Sequence, residues 1–316
     1  MAEAVTTIPE SRDPLAETLQ LLRLTGTLYC QSELTAPWSI DLPPLEDCMM
    51  FHIVTSGHCY LQLEDEEPLL LEQGSLALIP HGQGHHSFSS AEVEAVPLFD
   101  LPIQQVSERY ETLHHGGGGA RTQLTCGVVR FDHVAAAQLI AQLPKVMKVH
   151  AWEDEGDGWL HSTMRFLTRE AKELRPGSET VMTRLADILI IQMIRAWIAK
   201  APEQERGWFA ALRDRQIGQA LMAIHDAPAD AWTLESLAKR ASMSRSAFAA
   251  RFTDLVGEPA MKYLTRWRMQ LARTHLREGT ATLTSLAQLC GYRSEPAFRR
   301  AFKRMYGVAP GAMRDR

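Results

Sequence analysis

The apolar positions of this 316-residue chain fall into two textures. From about residue 27 to 131, short apolar runs alternate with breaks bearing Gly or Pro. Met49–Thr55, Cys59–Leu63, Leu69–Leu71, Leu76–Ile79 and Leu124–Phe131 fit strands, with Ser56-Gly57, Gln73-Gly74 and Pro80-His81-Gly82 as breaks. Strands this short at spacings of roughly 8–12 residues predict an all-β barrel or sandwich. From Asp132 to Lys200 the period turns helical. His133–Leu143 runs up to Pro144, Trp159–Leu174 up to Pro176-Gly177, and Glu179–Lys200 follows Ser178 as N-cap. Val181, Met182, Leu185, Ile188, Leu189, Met193 and Trp197 give that last helix a stripe broad enough to bury twice, on its own domain and on a second copy. The segment 132–200 is therefore expected to form a homodimer interface. Residues 1–12 read as a disordered start and 13–25 as a short helix, so 1–26 forms an arm. Residues 201–206 are a polar linker, and 207–316 hold short helices.

Within those helices lies a near-repeat of period 50. Adding 50 maps Ser244, Ala247, Phe248, Phe252 and Gly257 onto Ser294, Ala297, Phe298, Phe302 and Gly307. Each copy predicts one helix, with a Ser to accept the first free amides, two Phe at i and i+4 as a seam, and a Gly past the end. Another short apolar helix precedes each, at Leu234–Arg240 and Leu283–Cys290. Helix, tight turn and helix is a DNA-reading arrangement, present here twice. The helix Met261–Leu276 between them spans roughly 24 Å and can hold both reading helices on one face of a duplex.

With the Phe seams turned inward, Arg245, Ser246, Ala249 and Ala250 face outward on the first reading helix, and Arg251 follows. On the second, the outward set is Glu295, Pro296, Arg299 and Arg300, then Lys303 and Arg304. Arg can bond guanine O6 and N7 together, whereas small residues offer methyl contacts or shape. The second helix should carry more of the polar readout.

Charge sharpens this division. The net charge is −5, yet residues 207–316 hold 18 Lys and Arg against 9 Asp and Glu, while residues 1–206 hold 15 against 29. A basic third on an acidic body suits a polyanion at one end only. Five cysteines (30, 48, 59, 126 and 290) have no CxxC spacing, which favours reduced thiols in a cytosol over a disulfide framework. The start, Met1-Ala2-Glu3-Ala4-Val5, lacks the basic and apolar regions of a signal peptide, so a cytoplasmic location is expected.

The C-terminal part resembles the AraC/XylS family of bacterial transcription regulators. The resemblance runs through Trp232–Ala238, Met243–Phe248, Tyr263–Met269 and Gly291–Ser294, and closes with Ala301–Pro310. It implies promoter DNA and RNA polymerase as partners. In that family an Arg usually stands where this chain has Ala250. Residues 27–131 resemble the cupin-type sensor domain of one branch, through Phe51-His52-Ile53-Val54 before Gly57, Gly74-x5-Pro80-x-Gly82-x2-His85, and His114–Gly119 leading to Leu124–Gly127. The implied fold is α+β with two domains: a cupin-like β-barrel with a helical dimerisation segment, then an all-α domain with two helix-turn-helix motifs.

The barrel is where chemistry would sit. Metal-binding cupins supply two His and a Glu from their first motif and a His from the second. Here Met50 stands where the Glu belongs, no HxH precedes it, and only His85 is in place. His52 should point to the same inner face as Met50, so His52, His85 and Cys126 could approach one another. Three readings stay open for them: lining of a small-molecule effector site, a divalent metal such as zinc on His52 and His85, or satisfied core residues. Gly116–Gly119 has no GK[ST] behind it and is not a phosphate cradle; it reads as a mobile flap or a plain connection. The leading functional expectation is a non-enzymatic, effector-controlled, sequence-specific transcription regulator. The rivals are a metal-dependent cupin enzyme tethered to DNA and a constitutive DNA-binding regulator whose barrel only dimerises.

Overall fold

The computed structural model describes residues 24–131, 139–150, 158–173, 175–200, 208–277, 279 and 281–313. The expected arm at 1–12, most of the helix at 13–25, most of His133–Leu143 and the linker 201–206 lie outside the described residues. The chain divides into two compact units, one of residues 23–132 and 137–200, the other containing 201–316.

The first unit is built on two sheets. The larger has the order β12-β6-β3-β11-β1-β10-β9 and the smaller β5-β4-β7-β2-β8. Here β1 is Leu24–Thr35, β2 Ser39–Leu42, β3 Cys48–Ser56, β4 His58–Leu63, β5 Leu69–Glu72 and β6 Ser75–Ile79. The remaining strands are β7 His85–Phe88, β8 Val96–Pro97, β9 Gln104–Ser107, β10 Tyr110–Gly116, β11 Arg121–Phe131 and β12 Met147–His150. Alternate residues point inward, as the pleat requires. Met50, Val54, Cys59, Leu61, Ala77, Ile79 and Leu124 share one core with Trp38 and Leu34. β3 and β6 are buried on both faces. Helices α1 (Trp159–Glu173) and α2 (Ser178–Lys200) belong to this unit. The Tyr110 hydroxyl donates to the Ala171 carbonyl, and Ser107 donates to the Glu179 carboxylate.

Three expectations need correction here. Leu24 and Thr25 begin β1 rather than ending a helix, because β1 pairs with β11 along its length and with β10 beside it. Met147–His150, inside the segment expected to be helical, is a strand that completes the sheet edge against β6. Gly116–Gly119 is an anchored turn rather than a flap. The Gly117 and Gly119 amides donate to the Thr35 and Ala36 carbonyls at 2.8 Å each, and Gly118 N donates to Thr35 Oγ1 at 2.9 Å. A Cβ on Gly116 (φ 130°) would lie 1.9 Å from the Thr35 carbonyl oxygen, so only glycine lets the backbones approach.

The second unit holds α3 (Trp208–Arg213), α4 (Arg215–Asp226), α5 (Leu234–Arg240), α6 (Arg245–Val256), α7 (Ala260–Arg277), α8 (Leu283–Leu289) and α9 (Glu295–Tyr306). Ser244 and Ser294 cap α6 and α9 through the Ala247 and Ala297 amides, and Gly257 and Gly307 end them at φ 82° and 73°. The repeat is legible in the turns as well. Ser242 (φ 54°) follows α5 and Gly291 (φ 68°) follows α8, with Met243 and Tyr292 amides closing back on Ala238 and Ala287. These turn positions differ by 49, and Arg293 lengthens the second turn by one residue to restore the offset of 50. No described helix is long and apolar enough to cross a membrane.

Candidate nucleic-acid interface and sensor site

The reading helices are positioned by the aromatic seams. Phe248 and Phe252 are fully buried and stack on into Tyr263 and Trp267 of α7. Phe298 and Phe302 sit in a second core with Met269, Ala272 and Leu276, also from α7. One helix thus supplies a wall to each core, and the two reading helices are referenced to the same rod. A junction locks them together. The Arg268 guanidinium donates from Nε to Pro228 O and from Nη2 to Asp230 O, both at 2.7 Å, in the loop before α5. The Cys290 thiol, in the turn before α9, donates to Arg268 O at 3.1 Å. Gly291 lies so close to Ala229 that a Cβ would stand 2.5 Å from its carbonyl oxygen.

The outward faces follow from this packing. Arg245, Ser246 and Ala250 are exposed on α6, with Ala249 half-buried. Pro296, Arg299, Arg300, Lys303 and Arg304 are exposed on α9. Arg245, Arg300 and Lys303 form no ion pair with any described residue, so their charges point to solvent. Two of the expected DNA-contact residues also make ion pairs within the unit. Arg251 donates from Nε to Asp214 Oδ2 at 2.8 Å, and its Nη2 pairs with the same oxygen. Asp214 is itself the N-cap of α4, accepting from the Gln216 and Ile217 amides. Partial burial would raise the Asp214 carboxyl, but those amides and Arg251 together hold it below its usual value. Arg251 therefore braces α6 against α4, with its side chain still 53% exposed. Glu295 accepts from Thr284 Oγ1 at 2.8 Å and from Arg299 at 2.6 Å, and these contacts, Thr284 first, hold its carboxyl below the usual range. It orients Arg299 and ties α9 to α8.

In the barrel, the structure brings His52, His85 and Cys126 together. Cys126 stands opposite His52 in the β11–β3 register, and His85 reaches across from the smaller sheet. The Cys126 Sγ lies 3.0 Å from His52 Nδ1, His52 Nε2 lies 2.8 Å from His85 Nε2, and His85 Nδ1 lies 3.1 Å from the Gln83 carbonyl oxygen. A carbonyl can only accept, so His85 carries its proton on Nδ1. His52 then donates from Nε2, and the Cys126 thiol donates to His52 Nδ1. Burial first, and His85 second, hold His52 well below the ordinary imidazole value; burial also lowers His85. Burial raises Cys126 well above the ordinary thiol value. The chain is neutral and fixed in one tautomer.

That geometry does not fit the metal. Two imidazole nitrogens around one zinc stand about 3.3 Å apart, given bonds of about 2.0–2.1 Å, and here they bond each other directly. No three His, Cys, Asp or Glu side chains converge as a ligand set among the described residues.

A cleft of about 680 Å³ opens beside His85, between Asp41, Leu63, Asp65, Gln83, His86 and Lys145. Its volume suits one small molecule. Gln83 Oε1 is buried there without a partner among the described residues, an acceptor awaiting a donor. Sequence reasoning passed over Gln83, Asp214 and the Arg268 junction, because each acts through a backbone contact that no side-chain spacing announces.

Comparison with known proteins agrees with this division. Residues 13–199 match the cupin family and residues 237–316 the helix-turn-helix domain family. The chain is 32% identical to an AraC-like transcription regulator from Streptomyces antibioticus over 96% of this chain and 98% of that one. It is 28% identical to the HTH-type transcriptional regulator AlkR from Acinetobacter baylyi, over 94% and 97%. It is also similar to the DNA-binding domain of AdpA, a global transcriptional factor solved with a target DNA (31% identity, 32% of this chain and 91% of that one, TM-score 0.31).

Proposed function

The chain belongs to the AraC-like transcription regulators, DNA-binding proteins with a cupin-like N-terminal domain, and from that premise we propose that its barrel senses a small molecule and sets the action of the DNA-binding unit. The observation that carries this is the buried chain Cys126–His52–His85 ending beside a cleft whose Gln83 Oε1 has no partner among the described residues. Polar groups this deep in a core cost stability unless they are hydrogen-bonded, and Gln83 Oε1 finds no such bond among the described residues. The effector enters the cleft, meets Gln83 and His85, and through them reaches His52 and Cys126. It regulates because it prefers one arrangement of the barrel over another. The protein acts in the cytoplasm as a non-catalytic regulator.

On DNA, Arg245, Ser246, Ala249 and Ala250 enter one major-groove segment, and Pro296, Arg299, Arg300, Lys303 and Arg304 the next, with Arg300 in base contact and Lys303 on phosphate. Promoter-bound protein contacts RNA polymerase. A dimer forms across α2, whose Met182, Leu189, Met193 and Ile194 pack inward while Val181 and Ile188 stay exposed at 44% and 46%.

The test is a reporter driven by a selected operator, with His52→Ala and His85→Ala combined. The response to the inducing condition should vanish while operator affinity stays within twofold of the parent. A double variant that still responds fully places the effector site elsewhere.

A further inference from the structure

Two thiols stand in line with the imidazole pair, and the proposed function uses only one of them. Cys30 on β1 stands directly opposite Cys126 on β11 in their antiparallel register. Residues so placed have Cα atoms about 4.5–5.5 Å apart, inside the about 4.4–6.8 Å range a disulfide spans. Their sulfurs also face one way. The Ser32 hydroxyl lies 3.6 Å from Cys30 Sγ on the same face. Across the sheet the row is thus Cys30, Cys126, His52, with His85 behind. Both cysteines are half-buried and free, whereas Cys48, Cys59 and Cys290 are buried.

We propose that Cys126 and Cys30 form an oxidation site, in which His52 takes the Cys126 proton, Cys126 is the attacked thiol and Cys30 resolves it into a disulfide. The inference rests on the reading of the barrel as the sensor, and names its effector as a small oxidant with a weak O–X bond, hydrogen peroxide or a hypohalous acid. The thiol–imidazole contact at 3.0 Å supplies the first step. As the Cys126 sulfur attacks the oxidant's oxygen, its proton passes to His52 Nδ1 in the same step. An S–O bond forms as the O–X bond breaks. Hydroxide or halide departs, taking the proton from His52. Cys126 is oxidised by two electrons to the sulfenic acid, and the oxidant is reduced to water or hydrogen halide. In the second step the Cys30 sulfur attacks Cys126 Sγ. The S–S bond forms, the S–OH bond breaks, and hydroxide leaves with the Cys30 proton as water.

The product pulls β1 and β11 together at the centre of the larger sheet and removes the donor that His52 Nδ1 accepts from. His52 must then find another proton or turn, which changes the chain through His85 to the cleft. The signal is thereby written into the core without a resident ligand.

The experiment uses the full-length protein, reduced, desalted and treated with one to five equivalents of hydrogen peroxide or of hypochlorous acid. Peptide mass spectrometry without reductant reads the products. A Cys30–Cys126 linked peptide is expected, with Cys48 and Cys290 remaining as thiols. Cys30→Ser should stop the reaction at a Cys126 sulfenic acid that dimedone traps. Cys126→Ser should leave Cys30 a thiol. His52→Gln should slow Cys126 oxidation about a hundredfold, the scale of a lost general base, while His85→Gln slows it less. If Cys126→Ser leaves the rate of thiol loss unchanged, or oxidation distributes over all five cysteines, the assignment is wrong. Because the readout is a covalent disulfide link, it stands apart from the reporter test: linkage without a transcriptional response overturns the sensor reading only, and a response without linkage overturns this one only.

Discussion

Gly291→Ala probes the junction that fixes the two reading helices, and its size can be worked from the structure. The residue sits at φ 68°, where an L side chain costs roughly 1–2 kcal/mol. The new Cβ would stand 2.5 Å from Ala229 O and 2.7 Å from Arg268 Nη2, both committed to the loop before α5. Relieving such overpacking costs about 1–3 kcal/mol. The stiffer unfolded chain returns roughly 0.4–1 kcal/mol, leaving a loss of about 1–4.6 kcal/mol. Ser242 is the internal control: it holds φ 54° in the matching turn of the first repeat, so the dihedral alone is tolerated there. Ser242→Gly should shift stability by less than about 1 kcal/mol, since relief of the dihedral and loss of chain stiffness oppose each other. Urea unfolding followed by tryptophan fluorescence measures both variants, and operator titration follows with the fraction folded held above nine-tenths. The expected outcome is a large stability loss for Gly291→Ala and weaker operator binding beyond it, since α9 must move relative to α6. A Gly291→Ala midpoint within about 0.5 kcal/mol of the parent would refute the junction.

Other consequences can be checked together. His52 and His85 are held below their ordinary value of 6.5 in the folded barrel, so the unfolded chain binds the extra protons. Their stabilising contribution is present above pH 6.5 and is lost as pH falls through the folded values, at up to about 1.4 kcal/mol per pH unit for each. Thermal melts from pH 7.5 to 5 should show this slope, and His52→Gln should flatten it; a parent Tm constant across that range contradicts it. Ile188→Arg should turn the dimer into a monomer at tens of micromolar in light scattering without lowering Tm, because the side chain is 46% exposed. An unchanged mass removes α2 as the interface.

Much of the DNA-binding unit was readable because each local signal agrees with its neighbours. Ser244 and Ser294 cap, the Phe pairs bury, and Gly257 and Gly307 terminate, so spacing alone places α6 and α9. The tie from Arg251 to Asp214 was not legible because that partner lies 37 residues away and earns no mark in a helical period. In the barrel, the apolar runs at β3, β4, β5, β6 and β11 stood out. β1 did not, since Thr, Gln and Ser alternate along it, and β8, β9 and β12 are too short to show a period. His52 and Cys126 were legible as inner-face positions, and the register makes them neighbours. Cys30 was invisible as a member of that group because its strand was not recognised, and only pairing with β11 sets it beside Cys126.

The central claim is that the two reading helices of one chain read two successive groove segments. Binding-site selection from a random DNA library tests it most directly, with the parent, Arg245→Ala and Arg300→Ala carried in parallel at two salt concentrations. The account expects an asymmetric consensus in which Arg245→Ala relaxes preference in one segment and Arg300→Ala in another about 10 base pairs away. Arg300→Ala should also lose about 1–3 kcal/mol on the parent consensus. Relaxation by both variants at the same base pairs, or an unaltered consensus for both, would contradict it.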